Sequence, residues 1–163
     1  MECEYPVQNE IGVVMSVTDK SAGFTDAEKA AMKARAEELR SSGRGGAKKA
    51  EEAQACLDAI AAMPRDERAL AERVHTLVSE VAPGLRPKTW YGMPAYVDEA
   101  GKVVCFFKPA SKFGARYATL GFTDVARLDD GDMWPTEYAV ASMSAAVATT
   151  IERLVRKAVR PAD

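Results

Sequence analysis

Cysteine is scarce in this sequence and never clustered. Cys3, Cys56 and Cys105 stand far apart and form no CxxC pair. That spacing supports neither a zinc knuckle nor a thioredoxin-like motif, and three free thiols suit a reducing cytoplasm. Cys105 sits inside an apolar run, where an inert core thiol is the expected role. Histidine occurs once, as His75, so a three-histidine metal site cannot form within one chain. His75 falls beside an apolar helical stripe, which makes it a rim residue, and no carboxylate–histidine spacing points to a triad.

Excess charge is missing too. A net charge of −2 leaves no footprint for nucleic acid or a membrane surface. Apolar runs such as Ile11–Met15 are far too short to span a bilayer. The opening MECEYPVQNE is acidic and lacks the basic region of a secretory signal. There is no G-x-S-x-G elbow, P-loop or Rossmann glycine loop; SGRGGAKK has the wrong spacing and no strand before it. With no nucleophile or acid–base set in view, no enzyme class is indicated. Internal repeats are absent as well.

What is present is a chain of 163 residues, 47% hydrophobic and 28% charged, enough for one globular core. Residues 1–23 show no sustained period and read as a tail, although IGVVMSV over 11–17 has the composition of a short strand. Met15 opens MSVTDKSAGFT, which reads as a natural beginning, so an upstream extension over 1–14 is one expectation. Residues 24–49 form a second unit. TDAEKAAMKARAEELR predicts a helix with Thr25 and Glu28 as a capping box. Its apolar face (Ala31, Met32, Leu39) is thin, so this helix should be largely solvated. SSGRGGAKK over 41–49 then reads as a flexible link.

A compact domain is expected over 50–160. Ala53, Leu57, Ile60 and Ala61 predict a helix near 50–62, and Pro64 suits the start of the next. Leu70, Val74, Leu77, Val78 and Val81 predict that next helix over 65–81. Ten of the twelve aromatics then fall within 90–138, which places the sheet there. Strands are expected near 88–91, 95–98, 102–108, 115–122 and 137–143, with a DEAG hairpin at 98–101 using Gly101. KVVCFFK is apolar on both faces and should be central, with Val104 and Phe106 on one side and Val103, Cys105 and Phe107 on the other. A last helix near 145–159 carries Val147, Ile151, Leu154, Val155 and Ala158. The expected fold is α+β: a mainly antiparallel sheet of about five strands flanked by helices.

KTWYGMPAY, residues 88–96, is the densest aromatic stretch. Gly92 can take a positive φ, Met93 precedes proline, and Pro94 gives no N–H to a ladder; together they predict a sharp bend between two strands. Trp90 and Tyr91 then point to opposite faces of the strand, one of them into the core and the other, with Tyr96, towards a cleft. One role for these rings is to pack the corner. The other is to line a cleft with Met93 and Tyr96. KPASKFGAR supplies Lys108, Lys112 and Arg116, either as a polar loop tip or as cations for an anionic ligand near the aromatics.

PKTWYGMPAY, with GKVVCFF, RYATLGF and LDDGDMWPTEYAV after it, resembles the YdhG-like family of small bacterial domains of unknown function. The resemblance covers residues 50–160, and the preceding FTDAEKAAMKARAEELR is similar to a subgroup of that family. It implies an α+β fold with an antiparallel sheet. One branch is described as frataxin-like intracellular iron chaperones, so the resemblance also implies iron as a cargo. Iron needs hard oxygen ligands. Asp129, Asp130 and Asp132 are the candidates, within an acidic stretch that also holds Asp124 and Glu137, and Gly131 offers a turn among them. The spacing is not that of an EF-hand, and an exposed acidic loop is the competing role. The expectation is a cytoplasmic carrier of iron; the alternatives are a small-molecule binder using Trp90, Tyr91, Met93, Tyr96, Lys108 and Arg116, or a protein-interaction module.

Overall fold

A computed structural model describes residues 23–41 and 45–161. The strand considered for 11–17, the start considered at Met15 and nearly all of the expected tail lie outside the described residues, as does the centre of the glycine link.

Helix α1 runs Asp26–Ser41. Its capping box forms as expected: the Thr25 amide donates to Glu28 at 2.7 Å and the Glu28 amide to Thr25 Oγ1 at 3.2 Å. Helix α2 runs Gly46–Ala61, four residues earlier than expected, so half of the link is helical. Its buried face is Cys56 and Ile60, while Leu57 is exposed. Helix α3 spans Arg65–Val81 as the spacing predicts, with Ala71, Val74, Leu77 and Val78 buried.

The sheet follows as β1 (Arg86–Trp90), β2 (Met93–Val97), β3 (Val103–Lys108), β4 (Ala118–Phe122) and β5 (Glu137–Val140). All pairings are antiparallel and the order is β1-β2-β3-β4-β5, a meander with β3 central. Between β3 and β4, KPASKFGAR is not a plain loop: Ala110–Phe113 forms the one-turn helix α4, ended by Gly114 at φ 62°. Helix α5, Ala145–Ala158, is capped by Ser144, whose hydroxyl accepts from the Val147 amide. The protein is therefore α+β, with helices flanking one antiparallel sheet.

One face of the sheet carries the main core. Cys56 and Ile60 of α2, Val74 and Leu77 of α3, and Ile151 and Val155 of α5 meet Tyr96, Cys105, Phe107 and Leu120 there. The other face carries a smaller cluster of Met93, Ala95 and Phe106, with Trp90, Tyr91, Val103 and Phe113 against it. Strand alternation separates the two sets, with one exception. Tyr96 pairs with Cys105 and Val97 with Val103, so Val104 is an extra residue in the ladder. That bulge puts Val104 in the main core beside Cys105 and leaves Val103 with Phe106. The strict alternation expected for β3 is corrected at that point. Burying Phe106 or Phe107 contributes about 1.5–3 kcal/mol each.

Candidate functional site

The site is built around the β1–β2 connection. Trp90 pairs with Met93, leaving only Tyr91 and Gly92 to turn the chain. Both have positive φ, 53° and 70°, the signature of the tight primed turns that match strand twist. Gly92 behaves as expected. Tyr91 does not: it is a turn residue in the left-handed region, not a strand residue opposite Trp90. Its ring meets that of Trp90 edge-on at 5.1 Å, and Trp90 reaches Phe106 at 5.2 Å. Pro94 lies inside β2, yet the β2–β3 register begins one residue later at Ala95, so no ladder donor is lost there.

Helix α1 reaches this turn from outside the sheet. The Glu38 carboxylate accepts from the Tyr91 amide at 3.0 Å and from the Gly92 amide at 2.8 Å, one oxygen to each. Arg35 lies 3.4 Å from Glu38 and places its guanidinium 5.6 Å from the centre of the Tyr91 ring. Hydrogen bonds to a charged group contribute about 1.5–3 kcal/mol each, so this polar clamp compensates for the thin apolar face of α1. Phe24, Met32 and Leu39 remain largely exposed.

Lys112 of α4 also reaches this turn. A Cβ added to Gly92 would lie 2.0 Å from Lys112 Nζ and 3.4 Å from the Ala34 methyl, so only glycine leaves room for the ammonium. Lys112 is part-buried with its ammonium 5.9 Å from the centre of the Phe113 ring, and it makes no ion pair or hydrogen bond among the described residues. Desolvation pulls its pKa below the usual lysine value, while the charge of Glu38 holds it partly up. Its ammonium edges a cleft of about 220 Å³ between the α2–α3 junction (Met63, Pro64), the turn (Gly92) and α4 (Pro109, Ser111). Ser111 is fixed there by Glu67, which accepts from its amide at 2.8 Å and from its hydroxyl. A second cleft, about 200 Å³, opens on the α2 side of Glu38, beside Lys48, Glu52 and Lys88. There Glu52 is already paired with Arg86 at 3.6 Å and Lys88 at 3.5 Å.

The structure brings together Trp90, Tyr91, Met93 and Lys112 of the expected residues and adds Glu38 and Arg35. Tyr96 goes elsewhere: it is 1% exposed in the main core, with its hydroxyl 3.2 Å from His75 Nδ1. Lys108 pairs with Glu137 at 3.4 Å. Arg116 lies over the Tyr117 ring at 5.5 Å. Asp129, Asp130 and Asp132 are exposed, and among the described residues no group of three or more His, Cys, Asp or Glu side chains is arranged to hold a metal ion. Gly131 does take a positive φ, 66°. Asp129 shares an open cleft of about 400 Å³ with Arg127, Lys157 and Arg160. Cys56 and Cys105 are buried thiols with pKa values pushed up to about 11 and about 12 by desolvation.

Glu38 has no sequence signal as a site residue, since its partners are 53 and 54 positions away. No helix among the described residues is long and apolar enough to cross a membrane. No protein-family model matches the chain, and neither does any curated protein or solved structure.

Proposed function

We propose that this chain is a ligand-binding protein whose ligand is a small anion, held by Lys112 in the cleft between the Tyr91–Gly92 turn, the α2–α3 junction and α4. The observation that carries this is the part-buried Lys112, whose ammonium has the Phe113 ring at 5.9 Å and the charge of Glu38 farther off, but no carboxylate within ion-pair distance among the described residues. Moving a cation out of water is costly unless something pairs with it. A carboxylate or phosphate in the cleft would do so. The cleft volume of about 220 Å³ suits a fragment-sized ligand or the anionic end of a larger one. Trp90 and Tyr91 then support the turn instead of stacking on the ligand.

The test is titration with inorganic phosphate, acetate and benzoate, read by calorimetry and by amide chemical shifts. Saturable binding that is lost in Lys112→Ala supports the proposal. Binding that survives Lys112→Ala removes Lys112 from the site.

Iron carriage, which the YdhG-like resemblance implies, is a separate proposal with its own test. Anaerobic Fe(II) titration against Mg(II) and Zn(II) controls should show selective binding, lost when Asp129, Asp130 and Asp132 are all replaced by Asn.

A further inference from the structure

Two consecutive residues with positive φ point their amides to one side of the β1–β2 turn. Such adjacent N–H groups make an anion-binding concavity. Here the anion is the chain's own: Glu38 places one carboxylate oxygen on each amide, at 3.0 and 2.8 Å. Arg35, 3.4 Å away, and Lys112, on which the Glu38 charge acts, supply positive charge nearby. The geometry is that of a receptor for a carboxylate, two parallel N–H donors with cations flanking them.

The helix that delivers Glu38 buries little apolar surface. Ala31 is its one buried hydrophobic residue, Met32 and Leu39 are 47% and 59% exposed, and Phe24 just before it is 59% exposed. None of its residues belongs to either hydrophobic cluster. The fold below the turn is complete without it, since the main core is made by α2, α3, α5 and the sheet.

We infer that Glu38 is a built-in competitor: the Tyr91–Gly92 amides form a carboxylate-binding site that α1 occupies with its own side chain, and a small external carboxylate takes that place when α1 lifts. This rests on the proposal of a small anionic ligand and narrows its class to carboxylates. The Lys112 cleft borders the same turn at Gly92, and the Glu38 charge acts on Lys112, so an anion drawn in by Lys112 lies next to the place that Glu38 holds. Binding and α1 docking are then mutually exclusive, and each weakens the other by the same factor.

The probe is sodium acetate, with sodium chloride at equal ionic strength as control, added to the full chain, to Glu38→Ala and to Glu38→Gln. The readout is the Tyr91 and Gly92 amide cross-peaks in ¹H–¹⁵N spectra. In Glu38→Ala, acetate should shift both amides saturably, with affinity raised about 5–150-fold over the unmodified chain. Glu38→Gln keeps one acceptor oxygen and should show a smaller gain. Equal affinity in all three proteins, or acetate shifts that bypass Tyr91 and Gly92, overturns the inference. So does failure of both variants to fold, because a competitor must be dispensable to the fold. The two proposals separate cleanly. If the unmodified chain binds anions through Lys112 while Glu38→Ala gains nothing, the Lys112 site stands and the competitor falls. If Glu38→Ala gains acetate binding at the turn while Lys112→Ala loses nothing, the reverse holds.

Discussion

The phenolic oxygen of Tyr96 lies 3.2 Å from Nδ1 of the half-buried His75, joining the sheet to α3 at the edge of the main core. Tyr96 is fully enclosed, so burial drives its pKa well above the usual phenol value and keeps it protonated. Desolvation lowers the pKa of His75, which favours the neutral ring. His75→Ala strands the buried hydroxyl and should cost about 1–3 kcal/mol of stability, measured by urea unfolding. The pH dependence has a defined sign. A histidine whose folded pKa is lowered binds fewer protons than its unfolded form in the window between the two pKa values. Its contribution is complete above the ordinary histidine pKa of about 6.5 and is lost as pH falls from there towards the lowered folded pKa. The stability of the unmodified chain should therefore decline on this limb, and His75→Gln should flatten it.

Gly121 sits beneath the Phe106 ring. A Cβ there would lie 2.2 Å from Phe106 Cζ. Gly121→Ala should destabilise by about 1–3 kcal/mol through overpacking. Phe106→Leu removes the ring, so Gly121→Ala should cost less in that background. A double-mutant cycle in denaturant checks this, and simple additivity would contradict the packing seen on the outer face.

At Gly92 the backbone and the space above it act together. The left-handed φ alone should cost a non-glycine residue about 1–2 kcal/mol. An added methyl would also displace the Lys112 ammonium. Gly92→Ala should lower the thermal midpoint and weaken anion binding, whereas Gly84→Ala, at a position with open space and no positive φ, should leave binding unchanged.

The buried thiols should be inert. With pKa values of about 11 and about 12 and no solvent access, Cys56 and Cys105 should not react with a thiol reagent at neutral pH in the native state. Both should react in denaturant. Fast native labelling of Cys105, followed by mass spectrometry of its peptide, would contradict the placement of β3.

Much of the fold was legible because several elements carry redundant signals. Five apolar residues at helical spacing behind Pro64 mark α3, and two apolar faces mark β3 as central. Helix α2 was displaced at its start because glycines argue against a helix locally, yet Gly46 begins one after Gly45 as its N-cap. Its buried face was also rotated, with Cys56 inside and Leu57 outside, a choice made by packing and not by hydrophobicity. Helix α4 is one turn long and leaves no period to detect. The bend at YGMP was legible from Gly92, but tyrosine is an uncommon residue at positive φ, so Tyr91 was read as strand. Lys112 stood among the basic residues of KPASKFGAR without a mark to separate it from Lys108 and Arg116. Only the fold pairs Lys108 with Glu137, lays Arg116 over the exposed Tyr117 ring, and sets the part-buried Lys112 over Phe113 at the edge of the cleft.

The measurement that tests the central claim most directly is calorimetric titration of the full chain and of Lys112→Ala with phosphate, acetate and benzoate at one ionic strength. The account predicts saturable binding of at least one of these anions to the full chain, and its loss in Lys112→Ala with the fold intact by circular dichroism. Anion binding of equal strength in the two proteins, or none in the full chain, would contradict it.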